Sequence, residues 1–167
     1  NHELGNENVK FHTGISYRHL LIIKKANKHI TCTPPHDVPG TPYKNVLVKP
    51  QEEDAQQTAD LINELIIKSQ ELLKKHPINL RRKAEGKDMA NSIWPWSPGY
   101  RPKMGTLLDQ YNFRNGIVIS AVDLIKGIGI YAGLQSIDVE GATGLADTNY
   151  EGKTQAAINA DRKSTRL

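Results

Sequence analysis

The sequence predicts a mixed α/β fold, in which a smaller α+β unit comes first and a unit with parallel strands follows. Strand-like segments and an irregular loop fill the first 50 residues, and one long amphipathic helix comes next. The second half then alternates strand and helix with short links, an order that favours parallel pairing. We place the boundary near residue 95, inside the aromatic, proline-rich stretch "SIWPWSPGYRP".

Two strands and a loop are predicted at the start of the chain. Residues 9–12 ("VKFH") alternate apolar and polar side chains, as a half-buried strand does. Residues 17–24 predict a second strand, and the apolar run 20–23 within it predicts burial on both faces. The four prolines and one glycine of residues 33–43 indicate an irregular loop. Residues 45–48 ("NVLV") predict a short strand or a strand-like connection.

Residues 53–75 give the clearest helix. Apolar residues recur there at three- and four-residue spacings and form one stripe. Acidic residues stand near its start and Lys74 and Lys75 near its end, as the helix dipole favours. Pro77 predicts where the helix stops. This helix is expected to bury one face on a sheet.

The second half predicts a strand–helix–strand–helix series. A short helix is expected near 105–112, a strand at 116–121 and a helix at about 122–133. A strand at 135–139 and a helix from about 151 to 161 follow. In open sheets of this kind ligands bind at the carboxyl ends of the strands, so the loops after the strands are candidate sites.

Composition narrows the function classes. The 167 residues are 38% hydrophobic and 24% charged, which is typical of a soluble globular protein. Nucleic-acid binders usually concentrate Lys and Arg on one face, whereas the basic residues behind the net charge of +4 are scattered, so no nucleic-acid partner is expected. A field that attracts small phosphorylated anions explains the basic excess as well as nucleic acid does, and a solvated, slightly basic surface explains it most simply. Cys32 is the only cysteine, which excludes an intramolecular disulfide and a multi-thiolate zinc site. No apolar run approaches the roughly 20 residues that span a bilayer, and a reducing cytoplasm is the expected compartment.

His36 and Asp37 are the first candidate pair. Pro34 and Pro35 stiffen the backbone before them, so an extended loop is expected to hold both side chains in place. His36 can then transfer a proton near neutral pH while Asp37 orients its ring or binds a hydroxyl or cation. The alternative is structural, with Asp37 capping backbone amides and His36 solvated.

Basic residues supply further candidates in the first half. Arg18, expected within a strand beside His19, can bind a phosphate or carboxylate with its fork, or pair with a structural acid. In "HPINLRR", the side chains of His76, Asn79 and Arg81 can converge on an anion in a loop. Alternatively, His76 caps the preceding helix and the arginines are exposed.

The second half adds Lys126, Asp147 and Asn149. Lys126 lies one turn into a helix that follows a strand, where it can hold phosphate oxygens or pair with Asp123. Asp147 and Asn149 can bind a hydroxylated ligand or cap the next helix. The chain contains no P-loop, no H-E-x-x-H and no G-x-S-x-G motif, and no complete active site is apparent.

Six segments together resemble one known family. In order, "YRHLLI", "TPPHD", "HPIN", "ANSIWPW", "VISAVDLIKGIG" and "EGATGLADTNYEGK" resemble the archaeal-type cofactor-independent phosphoglycerate mutases of the alkaline phosphatase superfamily. The resemblance implies residues 1–95 as an inserted substrate-capping domain and residues 96–167 as part of a phosphatase-like α/β core. It also implies that the parent uses Mn, Mg or Zn and a serine nucleophile. Both ends of the chain look like cuts, so we expect the nucleophile and most metal ligands outside it.

The resemblance gives each candidate a role. Lys126 resembles the core lysine that contacts the transferring phosphate, and no catalytic or metal-binding residue is expected in this chain. The expected substrate-binding residues are Arg18, His36, Asp37, His76, Asn79, Arg81, Lys126, Asp147 and Asn149.

The expected function is interconversion of 3- and 2-phosphoglycerate in the full-length parent, through a phosphoserine intermediate in glycolysis. The form "IWPWSPGYRP" departs from the commoner one, in which a glycine-rich turn follows the second tryptophan, and a related branch is proposed to phosphorylate homoserine. That kinase is the alternative. The 167 residues alone are expected to be an inactive anion-binding domain that binds no metal and that self-associates through exposed core edges.

Overall fold

The chain folds into two compact units. A computed structural model describes residues 2–14 and 17–164. Unit 1 comprises residues 1–100 and unit 2 comprises residues 101–167. The mixed α/β class that the sequence predicts is confirmed, with two antiparallel strand pairs in unit 1 and one parallel pair in unit 2.

Unit 1 begins with a hairpin of β1 (Val9–Thr13) and β2 (His19–Ile23). The strands pair antiparallel, with Phe11 opposite Leu21. The prediction that β2 is buried on both faces is wrong, because Leu20 is 59% exposed and Ile22 is 43% exposed. Among the residues that the structure describes, β2 pairs with β1 alone, so alternate side chains of the apolar run face solvent. Residues 17 and 18 precede the strand and do not belong to it.

The proline-rich loop contains more helical structure than the sequence predicts. Residues Pro35–Asp37 form a 3₁₀ turn closed by the Asp37 amide, which donates to Pro34 O at 3.1 Å. The expected extended backbone is therefore interrupted at Pro35–Asp37, whereas Pro34 before the turn is extended. Residues Tyr43–Val46 form a second 3₁₀ turn, which corrects the strand predicted at 45–48.

A second strand pair, β3 (Ile30–Thr31) and β4 (Lys49–Pro50), lies against the long helix α1 (Gln56–Lys75). Their core contains Ile30, Val48, Ala55, Ala59, Ile62 and Ile66. The helix thus buries its apolar stripe on a small sheet, as predicted.

A second helix, α2 (Pro77–Ala84), follows α1 directly. Pro77 ends α1 and also begins α2, because a proline at the first helical position lacks only an amide that would have no partner there. The prediction of a loop at residues 76–82 is therefore wrong, because residues Pro77–Ala84 are helical.

Unit 2 contains α3 (Leu107–Tyr111), β5 (Ile117–Ile119), α4 (Asp123–Tyr131), β6 (Gln135–Ile137) and α5 (Tyr150–Ser164). Strands β5 and β6 pair parallel, with Val118 opposite Ser136, which confirms the predicted strand–helix–strand unit. Gly129 lets α4 approach β5 closely, since a Cβ there would lie 2.5 Å from Val118 Cγ1. Within residues 2–14 and 17–164, no helix is both long and apolar enough to cross a membrane.

Candidate functional site

The 3₁₀ turn after the two prolines presents His36 and Asp37 side by side. Their side chains are 67% and 58% exposed, and His36 Nε2 lies 3.5 Å from Asp37 Oδ1. This distance suits an ion pair but is long for a hydrogen bond. The carboxylate lies beside Nε2 of the ring and can orient it.

Arg18 lies in the turn that leads into β2. Its guanidinium donates to the Tyr17 hydroxyl at 3.1 Å and lies 5.1 Å from the centroid of that ring. A stacked guanidinium keeps most of its donors free of the ring plane. Arg18 is exposed, so it can bind an anion from solvent without burial of its charge.

Helix α2 gives His76, Asn79 and Arg81 three different environments. His76 is the N-cap, and its Nδ1 accepts from the Ile78 amide at 3.3 Å. Asn79 is only 3% exposed and donates to Leu73 O and Ala90 O at 2.8 and 2.6 Å. Its Oδ1 also accepts from the Ala90 amide at 3.0 Å. Arg81 is exposed on the helix surface. The side chains of His76 and Asn79 thus support the local fold, and Arg81 faces solvent.

Lys126 lies on α4 with its side chain 22% exposed. Its described partner is Asp138, directly after β6, at 2.5 Å from Nζ to Oδ1. The pair joins the helix that follows β5 to the loop that follows β6, at the carboxyl ends of both strands. A phosphate that reached this ammonium would have to share it with an exposed carboxylate.

The loop before α5 is held by its own polar side chains. Asn149 Oδ1 accepts from the Gly152 amide at 2.8 Å and its Nδ2 donates to Glu140 O at 2.9 Å, so Asn149 caps α5. Asp147 Oδ1 accepts from the Thr143 hydroxyl at 3.3 Å. Asp147 is exposed, and the capping alternative holds for Asn149.

The candidates are distributed over several elements. Among the contacts described for residues 2–14 and 17–164, only His36 and Asp37 touch each other. Arg18, Arg81 and the His36–Asp37 pair lie on the hairpin, on α2 and on the proline turn of unit 1, and Lys126, Asp147 and Asn149 lie in unit 2. Two shallow depressions on the described surface are lined by other residues.

The chemistry of the described residues does not include a metal centre. No three His, Cys, Asp or Glu side chains cluster in the part of the chain that the structure covers, so these residues do not fit the two-metal centre that the resemblance implies. Burial raises the pKa of the Cys32 thiol, because a thiolate is poorly solvated beside the core of unit 1. Cys32 is therefore a packing residue rather than a nucleophile.

Sequence reasoning missed three residues around these candidates. Trp94 Nε1 donates to Thr33 O at 2.8 Å, and the Trp96 ring packs edge-on against His36. Asp138 binds Lys126. The aromatic stretch was a visible signal for the first two, but only the fold brings Asp138 to a lysine twelve residues earlier.

Comparisons with known proteins agree with the fold. A sequence model of the 2,3-bisphosphoglycerate-independent phosphoglycerate mutase family matches residues 1–79. The chain is 50% identical over 95% of its length to a curated protein of that name from Methanosarcina mazei. It is 44% identical over 94% of its length to a probable one from Geobacter sulfurreducens. The chain spans 38% of the length of each of these relatives.

Two solved structures are similar in fold. The cofactor-independent phosphoglycerate mutase from Thermoplasma acidophilum is 22% identical, with a TM-score of 0.61 over 94% of this chain and 42% of that one. The PH0037 protein from Pyrococcus horikoshii is 34% identical, with a TM-score of 0.58 over 65% of this chain and 28% of that one. The first of these likenesses bears on the fold alone.

Proposed function

We propose, from the premise that this chain belongs to the 2,3-bisphosphoglycerate-independent phosphoglycerate mutase family, that the full-length protein carrying it interconverts 3- and 2-phosphoglycerate. The 50% identity to the Methanosarcina mazei relative over nearly the whole chain is the observation that carries the proposal. Because the chain spans 38% of that relative, the activity belongs to the full-length protein.

Each unit has its own part in this function. We assign residues 1–95 to an inserted domain that covers the substrate, and residues 96–167 to part of a phosphatase-like core. The exposed cations Arg18 and Arg81, with His36 beside Asp37, suit a phosphorylated acid, because guanidinium groups and an imidazole N–H donate to anionic oxygens. Glycerate that is held by such groups can reorient after its phosphoryl group is transferred to the enzyme and before that group is transferred back.

Lys126 is the proposed phosphate contact of the core. It lies at the carboxyl end of the parallel strands, where ligands of α/β sheets bind. Asp147 and Asn149 lie in the loop that follows β6, at the same edge, and Asp147 is the member with an exposed carboxylate. Asn149 serves this edge by fixing the start of α5.

Phosphoryl transfer itself is assigned to residues of the full-length protein beyond this chain. A serine that accepts the phosphoryl group splits the migration into two displacements. The described residues do not fit the metal centre that the family implies, so no step is assigned to a metal here. We propose that the 167 residues alone bind anions weakly and have no mutase turnover.

A homoserine kinase is the competing assignment, and it rests on the departure after Trp96. The structure gives Ser97 a φ of 57°, a left-handed conformation that glycine favours. The turn that a glycine-rich sequence would make is therefore made here by a serine. This difference in sequence after Trp96 does not imply a different reaction, so we prefer the mutase assignment.

The test is a pair of assays on the full-length protein with Mn added. We expect conversion of 3-phosphoglycerate to 2-phosphoglycerate and no ATP-dependent phosphorylation of homoserine. Phosphorylation of homoserine without mutase activity would overturn the assignment. The 167-residue chain is the matched control, and mutase turnover by it would contradict the division of labour proposed above.

Two further properties follow from the proposal. A glycolytic enzyme acts in the cytoplasm, which is the compartment we assign. The isolated chain is proposed to self-associate through unit 2, where Leu124, Ile128 and Ile130 of α4 are exposed. Analytical ultracentrifugation of the chain with Ile128→Glu tests this, and an unchanged sedimentation profile would argue against α4 as the contact.

A further inference from the structure

Residues 92–100, here called the tryptophan segment, form hydrogen bonds with other parts of unit 1 near both ends of the segment. The Ile93 amide donates at 3.0 Å to the hydroxyl of Ser69, which is fully buried on α1. Further along, the Tyr100 hydroxyl accepts from the Lys28 amide at 3.2 Å, and the Lys28 ammonium lies 5.3 Å from the centroid of the Tyr100 ring. The segment is thus held in place along its length.

Trp94 connects this segment to the loop that carries the His36–Asp37 pair. Its indole N–H donates to Thr33 O at 2.8 Å, and its ring packs against the core. Thr33 is followed by Pro34 and Pro35, whose rings fix two φ angles and remove two amide donors. The backbone that leads to His36 is consequently fixed by one hydrogen bond and two prolines.

Trp96 contacts the imidazole itself. The two ring centroids are 5.5 Å apart and the planes meet at 79°, an edge-to-face arrangement. His36 is otherwise largely in solvent, where a free imidazole would occupy several rotamers. Contacts with both the Trp96 ring and the Asp37 carboxylate restrict the imidazole to one of these rotamers.

We propose that Trp96 is a positioning residue that holds the His36 imidazole in the orientation used for the substrate, while Trp94 fixes the loop beneath it. This proposal rests on the proposed function, since His36 contacts substrate only under that function. Trp96 acts through His36 and needs no contact with the substrate. This positioning role gives the tryptophan segment a function beyond core packing.

The test uses the isotope-labelled 167-residue chain and nuclear magnetic resonance of the His36 ring. In the wild-type chain we expect an Overhauser effect between the His36 and Trp96 ring protons, and its absence would overturn the proposal. Trp96→Leu should remove the ring-current shift of the His36 protons, whereas Trp96→Phe, which keeps an aromatic ring, should retain most of it. Identical His36 shifts in both variants would also overturn the proposal.

A titration with 3-phosphoglycerate links the orientation to binding. We expect Trp96→Leu to weaken binding by roughly two- to tenfold, the range that an aromatic edge contact supplies, and Trp96→Phe to bind nearly as the wild type does. Equal affinity in Trp96→Leu and the wild type would overturn the proposal. The melting temperature is the control for a general loss of structure, because Trp96 is 44% exposed and its replacement should change that temperature little.

The two proposals fail in different ways. If 3-phosphoglycerate leaves the wild-type His36 signals unchanged, the substrate assignment of unit 1 is wrong. The Overhauser effect and the ring-current comparison do not depend on ligand, so they still decide whether Trp96 orients His36. Trp94→Phe, which removes the indole donor to Thr33 O together with part of the ring, should shift the His36 signals in a chain that keeps its Trp96 contact.

Discussion

Replacing Asn79 with alanine should destabilise unit 1 far more than it affects ligand binding. The side chain is 3% exposed and makes three hydrogen bonds to backbone groups, at 2.6, 2.8 and 3.0 Å. These bonds join the end of α1 to the loop before the tryptophan segment. Asn79→Ala leaves Leu73 O and both backbone groups of Ala90 without this partner.

The magnitude follows from those three groups. An unsatisfied buried polar group costs about 1–3 kcal/mol. Ala90 is exposed, so water can replace part of the loss, and about 2–3 kcal/mol is expected in total. In a unit of this size, that corresponds to a fall in melting temperature of roughly 10–20 °C.

Urea unfolding of the 167-residue chain is the assay, with intrinsic tryptophan fluorescence as the signal. Asn45→Ala is the matched control, because Asn45 is an exposed asparagine of a 3₁₀ turn, and its free energy of unfolding should change by less than about 0.5 kcal/mol. An Asn79→Ala chain as stable as the wild type, with weaker binding of 3-phosphoglycerate, would refute the structural role.

Three other outcomes follow from single positions. Gly129→Ala should destabilise unit 2 by about 1–2 kcal/mol, because the added methyl group would clash with Val118. Gly127→Ala, which has open space around it, should stabilise α4 by up to about 1 kcal/mol. Thermal unfolding compares the two variants, and equal effects on the melting temperature would contradict the close packing of α4 on β5. Ser97→Gly should stabilise unit 1 by about 0.5–1 kcal/mol and Ser97→Ala should not, because only glycine adopts the positive φ of this position without strain. Urea unfolding midpoints that shift equally in the two variants would argue against backbone strain at Ser97. Burial disfavours the Cys32 thiolate, so the reaction of this thiol with a disulfide reagent at pH 8 should be slow and should accelerate as the pH rises. A rate at pH 8 equal to that of a small free thiol would contradict the raised pKa.

The elements with strong periodicity were predicted correctly from the sequence. Helix α1 shows an apolar stripe at three- and four-residue spacings, and the parallel β5–β6 pair follows from strand–helix–strand order. The errors lie where short-range signals compete. Residues 45–48 are β-branched and apolar enough for a strand, but Tyr43–Val46 forms a 3₁₀ turn that follows Pro42.

The apolar run of β2 shows a second kind of error. Burial on both faces requires neighbours on both sides, and a two-stranded hairpin does not provide them. Contacts between side chains on different elements are the third kind of error. Lys126 could be placed at the carboxyl edge of the strands from sequence, but its contact with Asp138 depends on the register of β6.

The substrate-binding roles of the candidate residues stay predictions, and the structure adds the surroundings of each side chain. The exposure of His36 and Asp37 follows from their place after two prolines in a polar loop. The engagement of Asn79 and Asn149 with backbone could not be read from spacing, because an asparagine that caps and one that binds a ligand look the same in sequence. The wall assigned to the substrate therefore depends chiefly on Arg18, His36, Asp37 and Arg81.

The most direct test of this account is the KM for 3-phosphoglycerate of the full-length protein with Arg81→Gln, compared with Arg82→Gln. Arg82 Nε donates to Asp88 O at 2.6 Å, so it is a neighbouring arginine with a structural partner. A lost charge-assisted hydrogen bond of about 1.5–3 kcal/mol predicts that Arg81→Gln raises KM by roughly 10- to 100-fold, while Arg82→Gln leaves it nearly unchanged. An unchanged KM in Arg81→Gln, or an equal rise in both variants, would contradict the claim that unit 1 binds the substrate.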